Sequence, residues 1–254
     1  MNDGGREKIN VFGVLLDRVD YYKACQMVEK FLQSYGRKVI VTPNAEIIMA
    51  ARKSKDLMEM LNKADICLPD GIGVVIASRI LGKPLLERTT GFDLMIKVIK
   101  MAQKQGLSLF LLGGKPGVAQ KAAVQLKLMF PGVNICGTHH GYFKEEEEHK
   151  IIDIINDNKT DILLVAMGFP KQEKFMIESK DKLEFRIAMG VGGSFDVLSG
   201  NVSRAPVFMQ KAGLEWLFRL ITQPWRFKRM KVLPLFLIEV VIHRLFSGKT
   251  KSKR

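Results

Sequence analysis

The sequence contains few cysteines, and their spacing matches no shared site. Cys25, Cys67 and Cys136 are the three cysteines of a 254-residue chain, and no CxxC pair occurs. An odd number without metal-ligand spacing argues against both a disulfide framework and a zinc site. We therefore expect a protein of a reducing compartment.

Long apolar runs are also missing. The first ten residues, MNDGGREKIN, are polar and lack the apolar core of a secretory signal, so we expect a cytoplasmic protein. The apolar segment at 232–246 has 15 residues and is interrupted by Glu239 and His243. A bilayer span needs about 20 apolar residues, so this segment fits a helix that lies in the membrane interface.

Acidic residues are scarce near the carboxyl end. The formal net charge is +14, and from residue 219 onward ten basic residues accompany one acid, Glu239, for a net +9. Nucleic acid, a membrane surface or an anionic substrate can each attract such charge. Here the basic residues alternate with aromatic and apolar ones, which favours an anionic membrane surface and argues against nucleic acid.

The composition changes near residue 213, and this change divides the chain. We expect a main domain at 1–212 and a basic amphipathic C-terminal appendage at 213–254. The appendage could bind the membrane peripherally, or it could form a helical hairpin that packs on the core or mediates oligomerisation. Both roles could alternate, with a homo-oligomer covering the apolar helix away from the membrane.

The rest of the chain alternates short apolar runs with longer segments of helical period. The predicted strands are INVFGV, KVIVT, DICL, LSLFLLGG, VNICGT, DILLVAMG and FRIAMGVGG. The predicted helices cover 20–35, 44–62, 71–82, 91–105, 116–129, 145–157 and 171–180. This alternation predicts an α/β fold with a Rossmann-like, largely parallel sheet that helices cover on both faces. Ligands of such folds bind beyond the carboxyl ends of the strands.

A glycine-rich loop follows the strand at LSLFLLGG. Gly113 and Gly114 lie in a strand, turn and helix-start pattern, where free backbone N–H groups could hold a phosphate. Glycines also permit tight turns, which is the structural alternative. The spacing is GGxxG, and VNICGT supplies no acid for a ribose, so the pattern argues against an NAD enzyme and leaves another nucleotide open.

A second glycine-rich loop, GVGGSFDVLSGNVSRAP at 190–206, contains Gly192 and Gly193. Asp196 could accept hydrogen bonds from ribose hydroxyls, and Arg204 could bind phosphate with two N–H groups. A helix cap or a turn is the alternative for Asp196. Two such loops together favour nucleotide binding.

Asp70 lies in LPDGIG, directly after a predicted buried strand, and Thr42 follows another strand. Both side chains could point into one cleft, where a carboxylate could act as a general base toward a hydroxyl. The alternatives are an Asx-turn aspartate before glycine and, for Asn44, a helix N-cap. No DxD motif is present to hold a metal-bound diphosphate, so protein groups would have to neutralise a bound diphosphate.

Several motifs together resemble the WecG/TagA/CpsF family of bacterial glycosyltransferases over roughly residues 9–230. They are TPNAE at 42–46, LPDGIGVVIASRILGKPLLERTTGFDL at 68–94, LLGGKPGVA at 111–119, GFPKQE at 168–173 and GGSFDVLSGNVSRAP at 192–206. The resemblance implies inverting transfer of a sugar from a UDP donor to a polyprenyl-diphosphate-linked acceptor. The appendage resembles the branch that adds N-acetylmannosamine to the 4-hydroxyl of N-acetylglucosamine on undecaprenyl diphosphate, in the linkage unit of wall teichoic acid.

The resemblance also assigns roles to individual residues. It makes Asp70 the base, lets Thr42 and Asn44 hold the donor sugar or its diphosphate, and brings Gln172 into the same pocket. The residues that it places around the nucleotide are Asp196, Gly113, Gly114, Gly192 and Gly193.

Three arginines of the appendage, Arg219, Arg226 and Arg229, would close over the cleft and neutralise the diphosphate. They would replace a metal, so we expect neither a metal nor another cofactor. Lipid headgroups are the alternative partners of these arginines. The enzyme would work at the cytoplasmic face of the membrane.

Two other functions compete with this interpretation. One is a transferase of the same family that moves a different sugar, such as N-acetylmannosaminuronic acid or a hexose. The other is a non-catalytic nucleotide-binding protein or membrane scaffold.

Overall fold

The computed structural model describes residues 6–34, 36–85, 87 and 90–250, with the side chains of 228 and 247–250 excepted. Residues 1–5 of the predicted main domain, 251–254 of the predicted appendage, and 86, 88 and 89 of the motif at 68–94 lie outside the described residues. The strands are β1 (Lys8–Val11), β2 (Val14–Asp17), β3 (Lys38–Val41), β4 (Ile66–Cys67), β5 (Ser108–Gly113), β6 (Asn134–His139), β7 (Ile162–Ala166) and β8 (Ile187–Gly190).

The helices connect the strands and form the carboxyl end. They are α1 (Tyr21–Gln33), α2 (Ala45–Arg52), α3 (Lys55–Asn62), α4 (Ile72–Ile80), α5 (Gly91–Gln105), α6 (Val118–Met129), α7 (Glu148–Asp157), α8 (Lys171–Glu178), α9 (Ser194–Leu198), α10 (Val207–Lys211), α11 (Glu215–Thr222), α12 (Phe227–Met230) and α13 (Val232–Thr250). Short 3₁₀ turns at Glu145–Glu147 and Pro224–Arg226 precede α7 and α12.

Six strands form one parallel sheet in the order β4-β3-β8-β7-β5-β6. Successive residues of a strand point to opposite faces. Accordingly, Leu109 and Leu111 of β5 pack into the core on one face, whereas Phe110 and Leu112 pack into the core on the other. The predicted α/β fold, with helices on both faces of a parallel sheet, is confirmed.

The prediction of one strand over INVFGV is wrong. The segment turns back on itself, so that β1 and β2 form a separate antiparallel pair. Phe12 and Gly13 both have positive φ, 54° and 95°, and the Asn10 side chain accepts the Gly13 N–H at 2.7 Å. Two positive φ values at the central positions are typical of the tight turns that join hairpin strands.

Polar caps decide where several helices begin. The Asn44 side chain accepts the Ile47 N–H at 3.0 Å and starts α2 directly after β3. Ser54 caps α3 in the same way, which splits the helix predicted at 44–62 into two. A side chain that accepts a first-turn N–H stabilises a helix start by about 1 kcal/mol.

The last helix lies along the main domain. It packs against α2 and α4, and its residues Phe236 and Val240 are fully buried. Leu235, Ile238 and Leu245 on the same helix are exposed. One face of α13 therefore covers the core, as the helical-hairpin alternative requires, while another face presents apolar side chains. No helix in the described part of the chain is both long enough and apolar enough to cross a membrane.

Candidate active site

Asp70 lies where the carboxyl ends of β3 and β4 meet. Its backbone N–H donates to the Pro43 carbonyl at 3.1 Å, which joins the loops after the two strands. Gly71 follows with φ 85°, a conformation that favours glycine, and α4 begins at the next residue. The half-buried Asp70 thus lies at a sharp strand-to-helix turn.

A cavity opens beside Asp70, between the main domain and the appendage. Its polar side chains come from the starts of α2 and α4 and from α11 and α12. The polar and charged residues that line it, together with Trp216, are Asn44, Glu46, Asp70, Glu215, Arg219 and Arg229. The fold therefore brings two carboxylates of the main domain, Glu46 and Asp70, and two arginines of the appendage to one cavity.

The appendage arginines form a cluster of like charge. The pKa of Arg226 is held below its usual range, first by burial and then by Arg219 and Arg229 nearby. Its guanidinium donates to the buried Gln223 side chain, while Glu46 offsets part of the repulsion. Positive charges held close together, one of them half-buried, favour binding of an anion.

The glycine loop after β5 is packed tightly against β7. A Cβ on Gly113, which has φ 138°, would lie 2.4 Å from the Ala166 carbonyl oxygen. The Gly114 N–H donates to that oxygen at 2.9 Å, and the Gly114 carbonyl accepts the Gly141 N–H at 3.0 Å. Strand spacing of about 4.8 Å puts β5 about 19 Å along the sheet edge from β4, enough for a ligand with several parts.

The model of the glycosyl transferase WecG/TagA/CpsF family matches residues 9–250. This chain belongs to that family. The predicted resemblance is confirmed, and the match continues through the appendage into α13. The chain is therefore a glycosyltransferase, as predicted.

Three relatives of this WecG/TagA/CpsF member are named N-acetylglucosaminyldiphosphoundecaprenol N-acetyl-beta-D-mannosaminyltransferase. The protein from Bacillus spizizenii is 39% identical over 210 residues, which cover 83% of this chain and 81% of the relative. That from Bacillus subtilis is 37% identical over 203 residues, 80% of this chain and 78% of the relative. That from Staphylococcus aureus is 34% identical over 249 residues, 97% of this chain and 95% of the relative.

Two residues predicted for the catalytic pocket of this WecG/TagA/CpsF chain, Thr42 and Gln172, are not among those that line the Asp70 cavity. The Thr42 side chain packs against Gly91, the first residue of α5, so closely that a Cβ on Gly91 would not fit. Gln172 is 5% exposed at the start of α8, and its side-chain oxygen accepts the Gly192 N–H at 3.1 Å. Gln172 thus contacts the glycine loop after β8. Direct contact of either side chain with substrate stays a prediction.

Asp196 and Arg204, which the sequence predicted in the glycine-rich segment 190–206, have different partners in the structure. Asp196 lies in the first turn of α9, close enough to Arg226 for their charges to interact. Arg204 pairs with Asp93 at 2.7 Å and lies over the Phe92 ring, 4.4 Å from its centroid. Arg204 already has an acidic partner in the structure, so phosphate would have to compete with Asp93 for its guanidinium.

Among the residues that the structure describes, no group of three or more His, Cys, Asp and Glu side chains is arranged to hold a metal ion. Arg219 and Arg229 are the cations that line the cavity beside Asp70. That this glycosyltransferase needs no metal stays a prediction.

Sequence reasoning assigned no role to Glu46 or Glu173, although both lie in the quoted motifs. Glu46 pairs with Arg229 in the cavity. Glu173 is 2% exposed, and burial raises the pKa of its carboxyl. One sequence pattern could have revealed the role of Glu173. It lies three residues before Met176, and this spacing places both residues on the buried face of α8.

Proposed function

We propose that this glycosyltransferase moves N-acetylmannosamine from UDP-N-acetylmannosamine to the 4-hydroxyl of N-acetylglucosamine on undecaprenyl diphosphate. The product would be the disaccharide of the wall teichoic acid linkage unit. The observation that carries the proposal is the single cavity shared by Asp70, Arg219 and Arg229. A base and a cluster of cations are the two features that sugar transfer from a nucleotide diphosphate requires.

Asp70 is the general base of the proposed reaction. Its carboxylate takes the proton of the acceptor hydroxyl while the hydroxyl oxygen bonds to the anomeric carbon of the donor. The bond from that carbon to the β-phosphate oxygen breaks at the same time, and the configuration inverts. The hydrogen bond from the Asp70 N–H to Pro43 holds the backbone that carries the base, and positioning of the base favours general base catalysis.

The appendage arginines stabilise the leaving UDP. As the bond breaks, negative charge builds up on the diphosphate, and guanidinium groups that are already in place stabilise it without reorganisation. Arg219 and Arg229 line the cavity, and Arg226 adds its charge from beside them. The positive charges that repel one another in the free enzyme would thereby stabilise the negative charge of the transition state.

A lipid acceptor accounts for the exposed face of α13. Leu235, Ile238 and Leu245 are exposed on the helix that also forms part of the cavity wall. An apolar face flanked by basic residues binds the surface of anionic membranes. The protein would reach the diphosphate and sugar of its acceptor at the cytoplasmic membrane face while the polyprenyl chain stays in the bilayer.

The test of the donor is turnover of a panel of UDP-sugars with a short-chain lipid carrying N-acetylglucosamine diphosphate. We expect a disaccharide product with UDP-N-acetylmannosamine, and UDP release that depends on the acceptor. Product formation with UDP-N-acetylmannosaminuronic acid or a UDP-hexose instead would keep the glycosyltransferase and replace the sugar. Tight UDP binding without turnover of any donor would contradict the proposed reaction.

A further inference from the structure

Two neighbouring side chains at the start of α8 form a buried chain of hydrogen bonds under the loop after β8. The Gln172 side-chain nitrogen Nε2 donates to the Glu173 carboxyl oxygen Oε1 at 2.8 Å. The Gln172 oxygen Oε1 accepts the Gly192 backbone N–H at 3.1 Å. The exposed fractions of Gln172 and Glu173 are 5% and 2%, so water has little access to either side chain.

This arrangement fixes which way the Gln172 amide faces. A reversed amide would turn its Nε2 donor toward the Gly192 N–H donor, which would lose the hydrogen bond to the loop, and its Oε1 toward Glu173, where only a protonated carboxyl could donate to it. Losing a buried hydrogen bond leaves its partner unsatisfied and costs free energy of folding. The acceptor on Glu173 therefore selects the orientation that presents Oε1 to Gly192.

The loop leaves space for this amide. A Cβ on Gly190 would lie 2.7 Å from Gln172 Nε2, so the absence of a side chain there lets Gln172 pass beneath the loop. Gly192 itself has φ 52°, a conformation that favours glycine. The Gln172 amide thus contacts the loop at 190–193, which follows β8 at the carboxyl edge of the sheet.

We infer that Glu173 is a positioning residue for the donor-binding loop at 190–193, acting through Gln172. It holds the amide oxygen of Gln172 against the Gly192 N–H and so keeps the loop in the shape that receives the nucleotide. The inference rests on the proposed function in one respect: the donor is a UDP-sugar, and its UDP part is taken to bind this loop, which the family resemblance places around the nucleotide. The Glu173–Gln172–Gly192 chain of contacts does not depend on it.

A carboxyl group at this position needs an explanation beyond packing. Glu173 lies in the core beside Phe175 and Met176, where an apolar side chain would be desolvated at less cost. Its second oxygen, Oε2, has no hydrogen-bond partner within the described ranges of the chain. The hydrogen bond that Glu173 accepts from Gln172 is a contact that an apolar residue could not make.

The first test follows the Gly192 amide in the full chain labelled with ¹⁵N-glycine. Glu173→Gln keeps an acceptor oxygen, whereas Glu173→Leu removes it at similar size. We expect the Gly192 amide to exchange with solvent at the wild-type rate in Glu173→Gln and about tenfold faster in Glu173→Leu, as for loss of one hydrogen bond. An unchanged Gly192 amide in folded Glu173→Leu would overturn the inference. Glu173→Met is the second apolar variant if Glu173→Leu does not fold.

The second test measures UDP affinity and the kinetic constants of the same variants. Positioning through the loop predicts a rise of about tenfold in the donor KM for Glu173→Leu with a smaller change in kcat, and near wild-type values for Glu173→Gln. The double variant Gln172→Leu/Glu173→Leu should be no worse than Gln172→Leu, because the two residues act in series. Additive losses in the double variant would overturn action through Gln172.

The two tests separate the two possible failures. A disturbed Gly192 amide with unchanged UDP affinity would support the contacts beneath the loop and overturn its assignment to the donor. If no wild-type turnover occurs but the Gly192 amide responds as expected, the proposed reaction fails and the positioning of the loop stands.

Discussion

Arg229 and Glu46 form a two-point ion pair at the cavity that contains Asp70. The Arg229 nitrogens Nε and Nη2 lie 2.7 and 3.1 Å from the two carboxylate oxygens of Glu46. A guanidinium binds phosphate through the same pair of parallel N–H groups. Glu46 therefore occupies the donors that a diphosphate would use, and substrate binding must exchange one anion for the other.

Replacing Glu46 should strengthen binding of the donor. Glu46→Gln removes the competing charge, and because both partners are partly exposed the pair is worth less than about 1 kcal/mol. We expect UDP to bind up to about fivefold more tightly, measured by calorimetry, with little change in the free energy of unfolding. Glu239→Gln is the matched control, since Glu239 pairs with Arg52 instead. Weaker UDP binding in Glu46→Gln would mean that Glu46 orients Arg229 and does not compete with the ligand.

Removing an arginine of the appendage cluster should weaken binding of the diphosphate and spare that of the nucleoside. Arg229→Gln and Arg226→Gln each remove a charge next to the proposed site, so we expect UDP affinity to fall about tenfold or more, as for loss of a charged hydrogen bond. Uridine affinity should stay near that of the wild type. Arg79→Gln, an exposed arginine in the last turn of α4, is the control. Equal losses for UDP and uridine would contradict a phosphate role.

Glu173 should make stability depend on pH. Burial raises the pKa of this carboxyl above its ordinary 4.5, so the folded chain keeps a proton that the unfolded chain has released. The contribution of Glu173 to stability is full below pH 4.5 and declines as the pH rises through the folded-state pKa. The Cys67 thiol interacts with Glu173, but burial raises the pKa of Cys67, so it stays neutral in this range.

Denaturant unfolding, measured from below pH 4.5 upward, tests this pH dependence. Glu173→Gln imitates the protonated carboxyl, so its free energy of unfolding should decline less with rising pH than that of the wild type. The difference between the two proteins should shrink toward low pH. Identical pH dependence in both would mean that Glu173 is ionised in the folded protein.

The two faces of α13 should respond differently to substitution. Phe236 is fully buried against the core, so Phe236→Ala should lower the free energy of unfolding by about 3 kcal/mol or more. Leu245 is 63% exposed, so Leu245→Ser should change stability by less than about 0.5 kcal/mol and weaken sedimentation with anionic liposomes. Unchanged liposome binding in Leu245→Ser would count against a membrane role of this face.

The layered fold could be predicted from the sequence because its signals are local. Apolar runs marked the strands of the parallel sheet, and Thr90 and Gly106 bound α5 at the limits predicted for it, 91–105. The β1–β2 hairpin was missed because its turn contains Phe12, a non-glycine residue with positive φ. A residue that rarely adopts this conformation gives no warning of a turn.

The site could be predicted only in part, because side-chain partners depend on tertiary packing. Motifs at strand ends singled out Asp70 and Asn44, and the family resemblance singled out Arg229. The contact of Gln172 with Gly192 depends on the path of two loops from different strands, and the spacing of residues does not specify it. Glu46 and Glu173 were missed because packing decides their contacts. Glu46 pairs with Arg229, which is distant in sequence, and Glu173 accepts from Gln172 inside the core.

The central claim is that Asp70 is the base of a sugar transfer, and Asp70→Asn tests it most directly. Asparagine keeps the size and the backbone hydrogen bond to Pro43, but it cannot take a proton. Acceptor-dependent UDP release from UDP-N-acetylmannosamine should fall by about 100-fold or more, while UDP binds as tightly as to the wild type. Turnover within a few-fold of the wild type would contradict the account and leave Asp70 as a residue of the turn before α4.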